Sequence, residues 1–269
     1  MDTDLTDEQW ELIKKLIPRP KKGGRRRTTC ERKVVNSIFY LVKTGCQWRQ
    51  LCRYHDLPWQ TVYRYFIAWR RKGVWKKMHF VLFQKVRSQD KRKIHPTVVV
   101  IDSQSTRTGK LASCATRGYD GGKRVKGRKR HFVVDTNGLL VDVSITPANV
   151  HDNKGARKVL RRIIRREEVC RSIKTICADK GYSGEKFSGW VTDNVNARVK
   201  IGQNHAKIYK KFIPEKKRWV VERTFAWIRD YRRLTEDTER ELKNSVTMIR
   251  VAFIRVMLRK LAPTTRQWT

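Results

Sequence analysis

Two aspartates stand directly after short apolar runs that are typical of buried β-strands. Asp102 follows residues 98–101, and Asp179 follows residues 176–178. Ligand sites in open α/β sheets lie at the carboxyl ends of strands, so both carboxylates are expected at one edge of a sheet. A single aspartate at such a position is more often explained by turn formation. Two of them in one chain favour a shared acidic site.

Glu222 is the candidate third carboxylate, in a helix predicted over residues 217–234. At about 100° per residue, Glu222 shares a helical face with Arg218, Arg229 and Arg233, and the opposite face is apolar. The alternative explanation is a solvated stripe of ion pairs. Three carboxylates from separate segments can hold two divalent ions about 3.5–4 Å apart, which supports in-line displacement at a phosphodiester. Oxygen ligands favour Mg²⁺, with Mn²⁺ as the substitute.

The charge balance indicates a nucleic-acid partner. The 269 residues include 63 Lys and Arg against 25 Asp and Glu, a formal net charge of +38. Self-repulsion on this scale calls for a polyanion, which makes a small-molecule metabolic enzyme a poor fit. A hydrophobic fraction of 39% and nine tryptophans exclude a disordered basic tail.

Other classes of protein are disfavoured by what the sequence lacks. The longest uninterrupted apolar runs are five residues, far below the roughly 20 that cross a membrane. The acidic first residues differ from the basic start of a signal peptide. Six cysteines are scattered singly, so neither a zinc site nor a disulfide framework is expected. These features predict a cytoplasmic protein with reduced thiols.

The first part of the chain, residues 1–90, is predicted to be a helical domain that binds DNA. Helices are indicated from the Thr6 capping box, over residues 30–43 and after Pro58. Short helices flanked by basic and aromatic residues are typical of a helix-turn-helix reader of duplex DNA. Its predicted DNA-binding residues are Trp59, Gln60 and Arg64.

The second part, residues 91–269, is predicted to be an α/β domain. Strands are indicated at residues 97–102, at 131–135 and 139–145 around an Asn-Gly turn, at 173–178 and at 197–201. Helices are predicted over residues 153–168, 217–234 and 242–261. This order is that of an RNase H-like domain, a mixed sheet flanked by helices.

Several short motifs, spread over nearly the whole chain, carry a resemblance to a known family. They are LTDEQW at 5–10, TGCQWR at 44–49, WQTVYRYF at 59–66, VIDSQS at 100–105, GYDGGK at 118–123, KGRKRH at 126–131, ADKGY at 178–182 and RWVVERTFAW at 218–227. With them the chain resembles the DDE transposases of bacterial insertion sequences, in the IS-five family of the wider IS-four group.

The resemblance implies a metal-binding catalytic triad of Asp102, Asp179 and Glu222. It further implies binding of terminal inverted repeats, strand cleavage by water and strand transfer by the freed 3′-hydroxyl, in a homodimer or higher assembly on double-stranded DNA. The wider group's signature places a Tyr, an Arg, the Glu and a Lys on this helix. Arg218 and Glu222 match it, Arg229 takes the Lys position, and Glu215 stands in place of the Tyr.

Basic residues around these motifs are the predicted contacts to the DNA backbone. The dense run at 123–130 has a solvated strand edge as its alternative explanation, and the net charge favours phosphate contact. The predicted contacts are Lys123, Lys126, Arg128, Lys129, Arg130, Lys180, Arg218, Arg223 and Arg229.

Alternatives remain open for particular residues and for the function. Asp120 and Asp135 suit turns, whereas His151 and Asp152 are expected near the site as supporting groups or a helix cap, with direct metal binding as the less favoured alternative. The apolar last helix is expected either to pack on the sheet or to join two subunits. A catalytically silent DNA-binding derivative and an RNase H-like nuclease are the competing functions, and a covalent tyrosine mechanism has no support beyond the tyrosines themselves.

Overall fold

The computed structural model describes residues 3–19, 28–53, 56–202 and 216–263. The chain divides into two compact units. The first takes the chain up to Lys91, Asp230–Leu234 and the residues from Thr247 on, and the second takes Arg92–Arg229 and Thr235–Val246. The predicted division into 1–90 and 91–269 places all of the last helix in the second part, whereas most of that helix belongs to the first unit.

The first unit is helical. Its helices are α1 (Asp7–Lys14), α2 (Glu31–Thr44), α3 (Trp59–Arg71), α4 (Val74–Gln89) and the larger part of α9 (Leu242–Leu261). The predicted capping box begins α1, with the Thr6 hydroxyl accepting from the Gln9 backbone. Gly45, at φ 73°, ends α2 in the left-handed conformation that favours glycine. Helix α4 was not predicted.

The last helix forms much of the core of the first unit. Ile249, Phe253 and Met257 on α9 are fully buried. The chain continues past α9 to Ala262, whose carbonyl accepts from the Gln9 side chain at 2.8 Å. The Arg255 guanidinium donates to the Thr3 carbonyl at 3.0 Å. Most of this helix therefore belongs to the helical unit, and the alternatives that it packs on the sheet or joins two subunits stay predictions.

The second unit contains a six-stranded mixed sheet. Its strands are β1 (Val98–Arg107), β2 (Gly118–Asp120), β3 (Val125–Asp135), β4 (Leu140–Pro147), β5 (Thr175–Ala178) and β6 (Arg198–Ile201). The order is β2-β3-β1-β5-β6, with β4 also paired to β3. Strands β1 to β4 pair antiparallel, whereas β5 lies parallel to β1 and β6. The predicted Asn-Gly turn joins β3 to β4, with Gly138 at φ 76°.

Helices α5 (Asp152–Ile164), α6 (Glu167–Ser172), α7 (Glu185–Val195), α8 (Lys216–Arg229) and the start of α9 complete this unit. Helix α5 packs on β3 and β4 through a buried apolar face. The packing is close enough that a Cβ at Gly155 would overlap the His131 ring. The mixed α/β class of the second unit is confirmed, and the helix predicted over residues 153–168 is two helices.

Candidate active site

The sheet brings Asp102 and Asp179 together. Strand β1 runs parallel to β5 with Val100 opposite Cys177, and continuing this register by two residues aligns Asp102 with Asp179. Asp179 follows the last residue of β5, as predicted. Asp102 lies inside β1 rather than at its end, because the strand continues to Arg107 through pairing with β3.

Backbone amides hold one oxygen of each of these aspartates. The Ser103 amide donates to Asp102 Oδ1 at 2.6 Å, and the Gly181 amide donates to Asp179 Oδ1 at 3.0 Å. Burial raises the pKa of Asp102 to about 6, and the nearby charges of Asp179 and Asp152 act in the same direction. The Ser103 amide and Lys123 oppose this rise without cancelling it. The pKa of Asp102 is therefore raised mainly by burial, and the charges of two nearby carboxylates add to that effect.

Asp152 joins this pair from the first turn of α5. Its Oδ1 accepts from Ser103 Oγ at 2.8 Å and lies 3.2 Å from Lys129 Nζ. The helix cap is the preceding residue, His151, whose Nδ1 accepts from the Asn153 amide at 3.3 Å. His151 caps α5, and Asp152 contacts Ser103 and Lys129. These contacts are consistent with the expectation that the two residues act as a cap or as supporting groups.

Lys129 links Asp152 to Asp120. Its Nζ lies 3.3 Å from Asp120 Oδ2, and that oxygen also accepts from Ser105 Oγ at 2.5 Å. Although burial acts to raise it, the pKa of Asp120 falls to about 2 because Ser105, the Lys123 amide and Lys129 all donate to the carboxylate. Asp120 therefore accepts from the Lys123 amide, as its expected turn role requires, and also contacts Ser105 and Lys129.

Tyr182 brings a buried hydroxyl to the same place. Its hydroxyl has no hydrogen-bond partner of good geometry in the described part of the chain. Burial raises the pKa of Tyr182 well above its usual value, and the carboxylates of Asp102, Asp152 and Asp179 raise it further. A side-chain hydrogen bond with Ser103 acts to lower this pKa, so Tyr182 belongs to the same polar cluster as Asp102 and Asp152.

Glu222 lies on α8, which packs on the same sheet. Thr224 Oγ1 donates to the Gly138 carbonyl at 2.8 Å, and the Phe225 ring lies 5.4 Å from that of Phe132. Phe132 is the partner of Asp102 across β1 and β3, so α8 covers the sheet beside Asp102. The Glu222 side chain, one turn before Phe225, is exposed.

A complete three-ligand metal site is not formed among the side chains that the structure describes. No three His, Cys, Asp or Glu in those ranges are arranged to hold an ion. Asp102 and Asp179 are brought together, and the place of Glu222 beside them stays a prediction. The Arg218 side chain and Glu215 lie outside the described residues.

The basic run at 123–130 divides into exposed and buried residues. Lys123 and Lys126 are exposed, whereas Arg128, Lys129 and Arg130 are at most 7% exposed. Burial lowers the pKa of Arg130 to about 10. The expectation that the whole run contacts DNA is corrected for these last three, because their side chains are enclosed by the protein.

The two terminal nitrogens of Arg128 make hydrogen bonds inside the second unit. Its Nη1 donates to Asp237 Oδ1 at 2.9 Å, to the Glu239 carbonyl at 2.7 Å and to Ser245 Oγ at 3.0 Å. Its Nη2 donates to Thr116 Oγ1 at 2.7 Å. This guanidinium ties β3 to the segment before α9.

The remaining predicted DNA-binding residues are more accessible. In the second unit, Lys180 and Arg229 are exposed, and the Arg223 guanidinium lies 4.7 Å from the Trp219 ring centroid and 5.5 Å from that of Trp227. In the first unit, Gln60 and Arg64 are exposed on α3, and Trp59 is half-buried beneath the Arg49 guanidinium.

Ser103 and Tyr182 are site residues that sequence reasoning missed. Both lie in motifs already identified, VIDSQS and ADKGY, immediately beside or near the two aspartates. Their positions inside those motifs were the available signal.

None of the helices in the described ranges combines the length and the apolar character needed to cross a membrane.

Two family models match the chain. Residues 93–257 match the transposase DDE domain, and residues 5–79 match the model described as "Putative transposase of IS4/5 family". The first of these covers more than half of the chain, including both aspartates and Glu222.

Curated relatives point to the same family. The chain is 32% identical over 114 residues to an uncharacterized 16.2 kDa protein of insertion element IS402 from Burkholderia cepacia, covering 38% of this chain and 72% of that protein. It is 33% identical over 120 residues to a protein of the same organism named "Putative transposase for insertion sequence element IS402", covering 42% of this chain and about half, 54%, of that relative. The chain belongs to the DDE transposases of the IS4/IS5 group.

Proposed function

We propose that this protein binds the terminal inverted repeats of an insertion sequence and catalyses metal-dependent cleavage and transfer of the DNA strand. The observation that carries the proposal is the alignment of Asp102 with Asp179 on parallel strands. Two carboxylates held side by side, one with its pKa raised to about 6, form a site that attracts divalent cations. The family match and the net charge of +38 support DNA as the substrate.

Asp102 and Asp179, with Glu222 from α8, would hold Mg²⁺ or Mn²⁺, in a site that takes two ions. Bound there, the ions would stabilise the charge on the attacking and leaving oxygens of a phosphodiester. The oxygen-only donor set supports this assignment.

The protein's own groups would orient the reaction. The Ser103 and Gly181 amides fix one oxygen of Asp102 and of Asp179, leaving the second oxygen of each free to turn toward a ligand. In the first step water attacks the phosphorus at the element end and the 3′-oxygen leaves as a hydroxyl. In the second step that hydroxyl attacks a phosphodiester of the target DNA and displaces its 3′-oxygen, so no covalent link to the protein forms.

The DNA-binding residues divide between the two units. In the second unit the backbone contacts are assigned to exposed or partly exposed cations near the acidic pair, namely Lys123, Lys126, Lys180, Arg223 and Arg229, with Arg218 added on the strength of its motif. In the first unit α3 would act as a helix-turn-helix-like reader with Trp59, Gln60 and Arg64. The second unit would correspond to an RNase H-like domain.

The assembly would be a homodimer or higher on double-stranded DNA, because two element ends must be cut together. The protein would act in the bacterial cytoplasm at the nucleoid. A catalytically silent DNA-binding derivative is the second candidate, and it is favoured by the absence of a ready three-ligand site among the described side chains.

A strand-transfer assay separates the two. The full chain is mixed with Mg²⁺ and DNA carrying the ends of its insertion sequence, and Asp102→Asn serves as the comparison. Cleaved and joined products from the parent, and their loss by at least about a thousandfold in the variant, are expected. Tight binding to the ends without products under Mg²⁺ or Mn²⁺ would establish the silent derivative, and equal activity of Asp102→Asn would refute the assignment of the site.

A further inference from the structure

Asp152 occupies a central position among the segments that carry the two candidate metal ligands. It lies on α5, whereas Asp102 and Asp179 lie on β1 and just after β5. We infer that Asp152 is a positioning residue, which sets the spacing of Asp102 and Asp179 through Ser103 and the turn that contains Gly181. The inference rests on the proposed function, because it concerns the same acidic pair.

One oxygen of Asp152 is bound to β1 and β3. Its Oδ1 accepts the Ser103 hydroxyl at 2.8 Å and faces Lys129 Nζ at 3.2 Å. Ser103 is the residue after Asp102 and supplies the amide that binds Asp102 Oδ1. A hydrogen bond from Ser103 to α5 therefore fixes the backbone from which the Asp102 side chain extends.

The other oxygen of Asp152 faces the turn after Asp179. A Cβ at Gly181 would lie 3.8 Å from Asp152 Oδ2 and 3.1 Å from Asp179 Oδ1. Gly181 thus stands between the two carboxylates, and its amide already binds Asp179. Through its two oxygens, Asp152 faces the backbone support of both candidate metal ligands.

The position of Asp152 itself is rigid. Helix α5 is anchored by four side chains that are 0% exposed, namely Ala156, Val159, Leu160 and Ile163. Lys129, whose side chain is 9% exposed, compensates one carboxylate charge of Asp152 and contacts Asp120 as well. With Oδ1 occupied by Ser103 and Lys129, Asp152 acts as a support rather than as a direct ligand.

Loss of the Asp152 charge should therefore act on metal binding more than on folding. Asp152→Asn keeps the shape of the side chain but weakens its contact to Lys129 and can reverse the hydrogen bond to Ser103. Groups that orient metal ligands typically change metal affinity by about 10–100-fold when they are substituted. We expect Asp152→Asn to weaken Mn²⁺ binding by about tenfold.

The test measures Mn²⁺ binding to the full chain by electron paramagnetic resonance of the free ion, without DNA. Asp142→Asn is the matched control, because Asp142 is also a carboxylate that links α5 to the sheet, 1% exposed and 3.4 Å from Arg162 Nε. The control should bind Mn²⁺ within about twofold of the parent. Equal weakening in both variants, or none in Asp152→Asn, would overturn the inference.

Ser103→Ala tests the same link without changing any charge. It removes the hydroxyl that Asp152 accepts, so Mn²⁺ affinity should fall by about threefold to tenfold, and the Ser103→Ala/Asp152→Asn double variant should lose no more than Asp152→Asn alone. This variant decides the question if Asp152→Asn does not fold, as judged by thermal unfolding. Parent-like Mn²⁺ affinity in Ser103→Ala, or additive losses in the double variant, would contradict the inference.

Failure of this inference is distinguishable from failure of the proposed function. A parent chain that performs strand transfer while Asp152→Asn binds Mn²⁺ normally keeps the function and rejects the role of Asp152. A parent chain that binds Mn²⁺ in an Asp152-dependent way but yields no DNA products keeps that role and rejects the function. A parent chain that binds no Mn²⁺ overturns the inference.

Discussion

Two charged clusters on the same sheet have opposite electrostatic balance. Around Arg128, the guanidinium contacts the Asp237 carboxylate, and its two terminal nitrogens also reach carbonyl and hydroxyl oxygens. Around Asp102, the neighbouring charges that act on its carboxylate are mostly of the same sign. In the first cluster opposite charges are in direct contact, whereas the charges that act on Asp102 include two further carboxylates.

This difference separates a structural network from a candidate site. A buried charge with a bonded partner and satisfied donors needs nothing from outside the protein. Like charges held close together by neighbouring strands repel each other and lower the stability of the folded state, and a bound cation offsets this repulsion. Arg128 is offset by a bonded carboxylate, although the buried Arg130 nearby carries the same charge. Asp102, on the adjacent strand, has two carboxylates among its neighbouring charges.

The largest effect is expected when the buried ion pair between Arg128 and Asp237 is removed. Arg128→Met leaves Asp237, whose side chain is 1% exposed, without its cation. Removing one partner of a buried ion pair typically costs about 3–5 kcal/mol, and we expect a loss of that size in the free energy of unfolding. Urea denaturation of the full chain measures it.

Lys126→Met is the control for that substitution. Lys126 lies two residues away on β3 and is exposed, so the same change should shift the free energy of unfolding by no more than about 0.5 kcal/mol. A loss below about 1 kcal/mol in Arg128→Met would show that its network is not structural.

The second effect is a dependence of stability on pH through His131, which lies on β3 between the two clusters. Burial lowers the pKa of His131 from 6.5 to about 4. As the pH falls through this window, the unfolded chain binds a proton that the folded chain does not, so the free energy of unfolding decreases. A shift of this size corresponds to about 3 kcal/mol, complete near pH 4.

Urea denaturation between pH 7 and pH 4 measures this loss. His131→Gln can keep a hydrogen bond to Thr146, whose hydroxyl lies 2.9 Å from His131 Nε2, but carries no titrating group. Its stability should fall less steeply over the same range. Identical pH profiles in the parent and the variant would exclude His131 as the cause.

Local patterns predicted most elements of this fold. The Thr6 capping box, the Asn-Gly turn before Leu139 and the apolar run before Asp179 each depend on neighbouring residues alone, and each was identified correctly. The burial of Arg128, Lys129 and Arg130 could not be predicted in this way. A basic run is exposed or enclosed according to which segments pack over it, and Asp237 and Asp152 come from distant parts of the chain.

The candidate site shows the same limit. Asp102 and Asp179 were paired by the rule that strand ends share an edge, and the parallel register bears out their proximity. The support of Asp102 by Asp152 depends on where the first turn of α5 meets β1, which no local pattern encodes. Tyr182 was overlooked because its importance lies in the burial of its hydroxyl near Asp102, Asp152 and Asp179, which depends on packing.

The third effect should have the opposite sign from the first. Asp102→Asn removes a carboxylate from between like charges, so in metal-free buffer the free energy of unfolding should rise by about 1–2 kcal/mol while strand transfer is lost. Thermal unfolding measures the gain. Asp193→Asn, at an exposed position on α7, should leave stability unchanged. A lower free energy of unfolding in Asp102→Asn than in the parent would mean that the surroundings of Asp102 offset its charge.

The smallest effect concerns the exposed cations of the same basic run. Lys126 is exposed on β3, whereas Lys129 is enclosed, so only the former is free to contact a phosphate. Lys126→Ala should weaken binding to any duplex DNA by a few fold and reduce the slope of log affinity against log salt by about one. Fluorescence anisotropy across salt concentrations measures both.

The matched control is Lys174→Ala, an exposed lysine just before β5, at the opposite end of that strand from Asp179. If DNA lies along the edge of the sheet that carries Asp102 and Asp179, the slope of log affinity against log salt should decrease in Lys126→Ala and stay unchanged in Lys174→Ala. The slope depends on the number of counterions that contacts to phosphates release. Equal responses would mean that the net positive charge attracts DNA without a defined path. The contrast between the two clusters would then describe metal binding alone and would not locate the DNA.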